Sequence, residues 1–109
     1  MRTGSKTLAS VSKSVIDVSR HLLRLYVTGT TAGSTRAIQQ VRRVCDEHLA
    51  GRYDLEVIDI YQLPALAKDD QIIATPTLIR VLPAPLRRLI GDMSNINRVL
   101  FGIDVREQT

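Results

Sequence analysis

The chain has 109 residues, enough for one small domain and too few for two. Hydrophobic residues at 44% and charged residues at 24% are those of an ordinary soluble globular protein, while three Tyr, one Phe and no Trp leave no stacking platform for single-stranded nucleic acid. A single Cys excludes an internal disulfide, a four-Cys zinc site and a CxxC redox pair, and no apolar run approaches the roughly 18 residues of a membrane span.

The net charge of +4 is unevenly placed. Residues 1–21 hold +3 of it, with Arg2, Lys6, Lys13 and Arg20 against Asp17, and residues 22–109 are nearly neutral. A non-specific duplex binder needs a basic face on its folded body. A small nucleic-acid-binding protein is therefore the weaker alternative, although Arg42-Arg43 and Arg87-Arg88 form local basic pairs. Asp17 interrupts Val15-Ile16-Asp17-Val18, so the segment does not read as a secretory signal. It is Ser-rich and acid-poor, as a transit peptide is, and Leu8, Val11, Val15, Val18 and Leu22 fall at helical spacing. Ser and β-branched residues form isolated helices poorly, so the expectation is a basic, mobile or weakly helical leader on a cytoplasmic protein.

Residues 22–28 alternate around Leu23, Leu25 and Val27 and stop at Gly29, which predicts a first strand. Thr30 to Gly33 is a turn, and Ser34 is the expected N-cap of a helix over 34–50. Ala37, Ile38, Val41, Val44, Cys45 and Leu49 form one apolar stripe on that helix, and Gly51 suits its end. Residues 55–61 predict a second strand, apolar on much of both faces, which places it inside a sheet. Strand, helix, strand over this length implies a βαβ unit with parallel strands. Residues 63–70 predict a short helix with Pro64 in its first turn. Residues 78–82 have strand composition, Pro83-Ala84-Pro85 breaks the chain, and 86–90 reads either as a strand or as a helical turn. Gly91-Asp92 signals a turn, and Ser94 is positioned to cap a final helix running through Val99 to Phe101.

Little here carries catalytic chemistry. Gly29 to Ser34 lies between a strand and a helix, as phosphate-binding loops do, but it lacks both the GK[ST] ending and the GxGxxG spacing and reads as a chain-reversing turn. Cys45 and His48 stand i, i+3, half of a metal-site pattern, with only His21 to complete it; Cys45 on the apolar stripe reads as a small core residue. There is no GxSxG, and Asp59, Asp69, Asp70 and Asp92 are scattered. No catalytic residue, metal or cofactor is assigned. Thr75-Pro76-Thr77 opens a strand late in the chain, and in this element order Pro76 is the candidate cis-proline of a thioredoxin-like sheet. The fold class is thus α/β and thioredoxin-like, and a redox enzyme of that fold is the alternative that the missing CxxC argues against.

The body also resembles the KaiB family of small clock proteins, from about Leu22 to Asp104 without a gap. The resemblance rests on Leu25-Tyr26-Val27-x-Gly29, Ser34-x-Arg36-Ala37, Val57-Ile58-Asp59, Ala74-Thr75-Pro76-Thr77-Leu78, Val81-Leu82-Pro83-x-Pro85-x-Arg87-Arg88, Ile90-Gly91-Asp92-x-Ser94 and Gly102-x-Asp104. It implies a non-enzymatic binding protein that docks on the ATPase ring of a KaiC-like protein, in a circadian or stress-timing system. It further implies self-association to a dimer or tetramer, and a C-terminal half that exchanges between a thioredoxin-like and a ground-state arrangement. A related thioredoxin-like domain serves a clock-output histidine kinase, so such a kinase and KaiA enter as further partners. Asp54 and Glu56 stand where cyanobacterial members often carry small or basic residues, which weighs against KaiA. On this resemblance the partner-binding residues are Arg36 with Gln62, Leu63, Pro64, Leu66, Asp69, Asp70 and Gln71. Gly91, Asp92, Gly102 and Asp104 are expected to set the balance between the two arrangements, because Gly and Asp tolerate turn geometries that other residues resist.

Overall fold

The structure, a computed structural model, describes residues 20–103. The leader up to residue 19 and Asp104 lie outside them. The chain forms β1 (His21–Val27), α1 (Ala32–His48), β2 (Tyr53–Asp59), α2 (Pro64–Asp69), β3 (Thr77–Leu82), β4 (Arg87–Ile90) and α3 (Ile96–Gly102). The strands make one sheet in the order β2-β1-β3-β4, with β1 and β2 parallel and the other two pairings antiparallel. His21, at the end of the expected leader, is the first residue of β1 and is buried.

Alternation along β1 assigns its side chains to two layers. Leu23, Leu25 and Val27 face α1 and α3, where they join Ala37, Val41, Val44, Cys45, Leu49, Leu78, Leu89, Met93, Val99 and Ile103 in the main core. Tyr26 faces the other way, onto a small cluster with Ile58 and Ile79 that α2 and its flanks cover through Ile60, Ala67 and Ile72. Arg24 shares that side, pairing with Glu56 directly across β2 through a 2.8 Å contact. Arg20 similarly reaches Asp54 at 2.8 Å.

Three sequence-based expectations are corrected. β2 is an edge strand, not an interior one, because β3 takes the second side of β1; the apolar residues of β2 face the two layers while Asp54 and Glu56 stay exposed. The N-cap of α1 is Thr31, whose hydroxyl accepts the Ser34 N–H at 3.1 Å. Ser34 lies inside the first turn and is buried; its hydroxyl donates to the Thr28 carbonyl at 2.9 Å and accepts the Thr28 N–H at 3.2 Å, closing the turn from β1. At α3 the cap is Asn95, which accepts the Arg98 N–H at 3.0 Å, while the Ser94 N–H donates to Asp92 Oδ1 at 2.7 Å. The ambiguous segment before Gly91 is a strand: β4 pairs along β3 with Leu89 turned into the core.

Backbone geometry accounts for the remaining joints. The Thr75–Pro76, Leu82–Pro83 and Ala84–Pro85 bonds are cis. Buried Arg80 ties the proline segment to the end of α3, donating to the Pro85 carbonyl at 2.7 Å and the Ile103 carbonyl at 2.9 Å. At the end of α2 the Ile72 N–H donates to the Ala67 carbonyl at 2.9 Å and the Gln71 N–H to the Lys68 carbonyl at 3.0 Å. That pattern is a Schellman closure, and Gln71 holds its left-handed position at φ 55° without being a glycine. Gly102 marks a close approach: a Cβ there would stand 3.1 Å from Leu89 Cβ.

These two positions predict substitutions of opposite sign. Gln71→Gly should raise the unfolding free energy by about 1 kcal/mol, by relieving the left-handed side chain. Gly102→Val should lower it by about 1–3 kcal/mol, by overpacking α3 against β4. Urea unfolding of the two variants beside the parent protein checks both.

Candidate functional site

Where β1 runs into α1, the chain faces the cis-proline loop. The Thr28 and Thr75 hydroxyls hydrogen-bond across this junction. The Gly91 N–H donates to the Pro76 carbonyl at 3.1 Å, and the Thr77 hydroxyl to the Ala74 carbonyl at 2.6 Å. A groove of about 480 Å³ lies between the loop and α1, lined by Arg36, Arg43, Pro76, Asp92 and Ser94 among others. In a thioredoxin-like fold this is the end where a redox pair would sit. Here the stretch from Gly29 to Ser34 carries hydroxyls and glycines; its Gly29 N–H donates to Asp59 Oδ1 at the end of β2, at 3.0 Å, and its Ser34 N–H to the Thr31 hydroxyl. Cys45 lies well along α1 with its thiol in the main core, and desolvation, aided by the neighbouring Asp46 charge, pushes its pKa up to about 12. A protonated, enclosed thiol is a poor nucleophile. Among the described residues no group of three His, Cys, Asp or Glu side chains is arranged to hold a metal ion.

The groove brings together two residues that the sequence assigned to different roles. Arg36 and Asp92 both line it. The Asp92 carboxyl is held below the usual carboxylate range by hydrogen bonds from the Ser94 side chain and backbone, with smaller contributions from the Arg98 and Arg36 charges. Gly91 beside it adopts φ +121°, so the turn needs glycine for its conformation, and the exposed Arg98 guanidinium packs 3.2 Å from where a Cβ would be. Gly102 is further along, at the α3–β4 contact.

The other predicted residues lie across the sheet. Pro64 starts α2 at its first turn, where a missing N–H costs nothing. Around α2, a helix only six residues long, Tyr61 is 72% exposed, Leu63 48%, Leu66 37% and Ile73 86%, with only Leu66 in the helix itself. Gln62, Pro64, Asp69 and Gln71 are exposed beside it. Asp70 is not: its carboxylate turns inward to accept hydrogen bonds from the Tyr26 hydroxyl and from Arg24 Nη1, the latter at 3.2 Å. Arg36 is on the α1 side and α2 on the opposite side, so the expected contact face splits into two surfaces. Arg24 and Tyr26 reach Asp70 from β1, a role beyond the strand that their local sequence predicts. The available signal was their period-2 placement, polar positions interleaved with Leu23, Leu25 and Val27.

Comparison with known proteins agrees with this architecture. The KaiB domain model matches residues 24–105. The circadian clock protein KaiB3 of Synechocystis sp. is 47% identical over 90 residues, covering 83% of this chain and 88% of its own length. The circadian clock oscillator protein KaiB of Thermosynechococcus vestitus is 47% identical over 85 residues, covering 78% and 79%. Among solved structures, the N-terminal domain of Synechococcus elongatus SasA superimposes with a TM-score of 0.65 at 23% identity, covering 84% of this chain and 90% of that one. Mitochondrial thioredoxin 3 of Saccharomyces cerevisiae gives 0.64 at 15% identity, covering 88% of each. These two likenesses establish a thioredoxin-like fold. Among the described residues no helix is long and apolar enough to cross a membrane. With more than half of its length matched by the family's domain and relatives at 47% identity, the chain belongs to the KaiB family.

Proposed function

We propose that this protein is a non-enzymatic regulator in a circadian or stress-timing system, and that it docks on the ATPase ring of a KaiC-like protein through α2 and the residues beside it. The observation that carries the reading is the exposure of Tyr61, Leu63 and Ile73, with Leu66 partly exposed, all on one short helix and the chain on either side of it. Exposed apolar side chains close together in the chain, interspersed with exposed Gln62, Asp69 and Gln71, suit a protein contact better than a small-molecule site. Family membership supplies the kind of partner, since the related proteins are circadian clock proteins. Arg36, in the groove on the far side of the sheet, is outside the α2 contact and is free to meet a different part of the assembly.

The same reading includes self-association and the exchange of the C-terminal half between two arrangements. Gly91, Asp92 and Gly102 are its hinge candidates. Gly91 has a backbone conformation that other residues resist, Asp92 caps the turn, and Gly102 sits where α3 and β4 nearly touch. Support for this part lies in how little apolar contact fixes the elements after residue 62 on the α2 side of the sheet.

Docking predicts co-elution with the KaiC homologue of the same organism, compared with and without ATP. Absence of a complex under every nucleotide condition contradicts it. Ile73→Glu should weaken the complex at least tenfold while changing the unfolding free energy by no more than about 0.5 kcal/mol, because that side chain is 86% exposed.

A thiol experiment separates this reading from a redox one. Native Cys45 should not react with a thiol reagent at pH 8, whereas the unfolded chain should. Its folded pKa, about 12, lies above the ordinary value of 9.0, so the stability it contributes is complete below pH 9 and is lost as pH rises toward 12. Unfolding midpoints measured from pH 8 to 11 should therefore fall, and less steeply in Cys45→Ala. Rapid thiolate reaction of the folded protein, with turnover of a disulfide substrate, would restore the redox alternative.

A further inference from the structure

The seat of α2 is held by few apolar contacts. It spans six residues, none of them fully buried, and Leu63 at its N-cap offers no side-chain hydrogen bond. A helix of that length has no stability of its own in water. Beneath it the apolar layer consists of Tyr26, Ile58 and Ile79, with partly buried Ile60, Ala67, Ile72 and Val81 around them.

A polar connection adds what the apolar layer lacks. Tyr26 rises from the central strand β1 fully enclosed, at 0% exposure. Its hydroxyl donates to the Asp70 carboxylate, with the Leu66 carbonyl, 3.3 Å away, as a second acceptor. Arg24, two residues earlier on the same face, places Nη1 3.2 Å from Asp70 Oδ2 while its Nε is held 2.8 Å from Glu56 Oε1 on β2. Asp70 is the C-cap residue of α2, so one carboxylate joins the helix to β1 and, through Arg24, to the edge strand. Tyr26 and Asp70 are 44 residues apart in the chain, and their contact forms only if the helix lies down on the sheet.

We infer that Tyr26 and Arg24 are positioning residues that seat α2 through Asp70, and that Asp70 serves partner binding from beneath the helix rather than by touching the partner. The functional part of this inference rests on α2 being the docking surface. Tyr26 is enclosed and cannot meet a partner itself, so any effect of its hydroxyl on binding is transmitted through the helix. When α2 lifts, Leu63 and Leu66 lose their common presentation, and the apparent affinity falls with the fraction of molecules that remain seated.

Tyr26→Phe keeps the ring and removes only the hydroxyl; Asp70→Asn alters the other end and serves alone if the first variant does not fold. In the free protein, amide hydrogen exchange over residues 64–72 should accelerate at least tenfold in both variants, a shift of about 1.4 kcal/mol, while amides of residues 37–48 in α1 keep their protection. Against a KaiC-like ring, both variants should associate more slowly and dissociate at the parent rate, as expected for a smaller seated population. Ile73→Glu, by contrast, should dissociate faster with parent-like exchange in α2, because its side chain is 86% exposed and lies past the helix end. Unchanged exchange over 64–72 in the folded variants overturns the seating role. Faster dissociation of Asp70→Asn with parent-like exchange overturns it too, by making Asp70 a direct contact. If the parent protein binds no ring, the docking proposal fails, and the exchange result still decides the seating.

Discussion

The two faces of β1 govern the rest of the molecule. One of two strands bonded on both sides, β1 must place every second side chain in opposite layers, and its sequence does so unequally. Leu23, Leu25 and Val27 enter a closely packed core beneath α1 and α3, whereas Arg24 and Tyr26 enter a thin layer beneath α2. The first layer has the burial needed to hold a long helix. The second depends on a few apolar contacts and on a tyrosine, an arginine and two carboxylates. One side of the sheet is consequently a scaffold, and the other presents a small, loosely based helix.

That imbalance bears on function. The fold places a cis-proline opposite the start of α1, the end at which thioredoxin-like enzymes exchange disulfides, yet the thiol of this chain is buried along α1 and pushed out of the reactive range. With hydroxyls and glycines in the loop instead, that end holds the turn together and borders a groove of mixed polar and apolar lining. Exposed apolar side chains stand near α2, at Tyr61, Leu63 and Ile73, and also along the proline segment, β4 and α3, at Leu82, Leu86, Ile90 and Phe101. An enclosed thiol at Cys45 and apolar side chains exposed near α2 are the two features on which the proposed protein contact rests, and the chain's relatives are circadian clock proteins.

How much of this was legible in the sequence follows from how local each cause is. β1, α1 and the burial of Cys45 follow from periodicity within one element, and the structure places all of them within about two residues of expectation. Caps were misassigned by one to three positions, because Thr31 and Ser34, or Ser94 and Asn95, are all capable caps, and only the path of the incoming chain selects between them. The edge position of β2 was hidden because apolar residues facing two layers look alike whether or not a further strand is bonded outside. The split of the expected contact face between Arg36 and α2, and the inward turn of Asp70, depend on contacts across 44 or more residues' worth of folded chain, which no local pattern encodes. Charge was informative mainly by its distribution, since the excess lies in residues 1–21 and the described body relies on cross-strand pairs such as Arg24–Glu56.

The central claim is that β3 lies antiparallel beside β1 in the free protein, since this pairing makes β1 the two-faced strand and fixes the thioredoxin-like arrangement. Cross-strand nuclear Overhauser contacts in the isolated protein test it most directly. The register pairs Leu23 with Arg80, Leu25 with Leu78 and Tyr26 with Thr77, so backbone contacts should appear between these partners. A resting protein in which they are absent, and in which residues 77–82 contact a different element or another copy of the chain, would contradict the account.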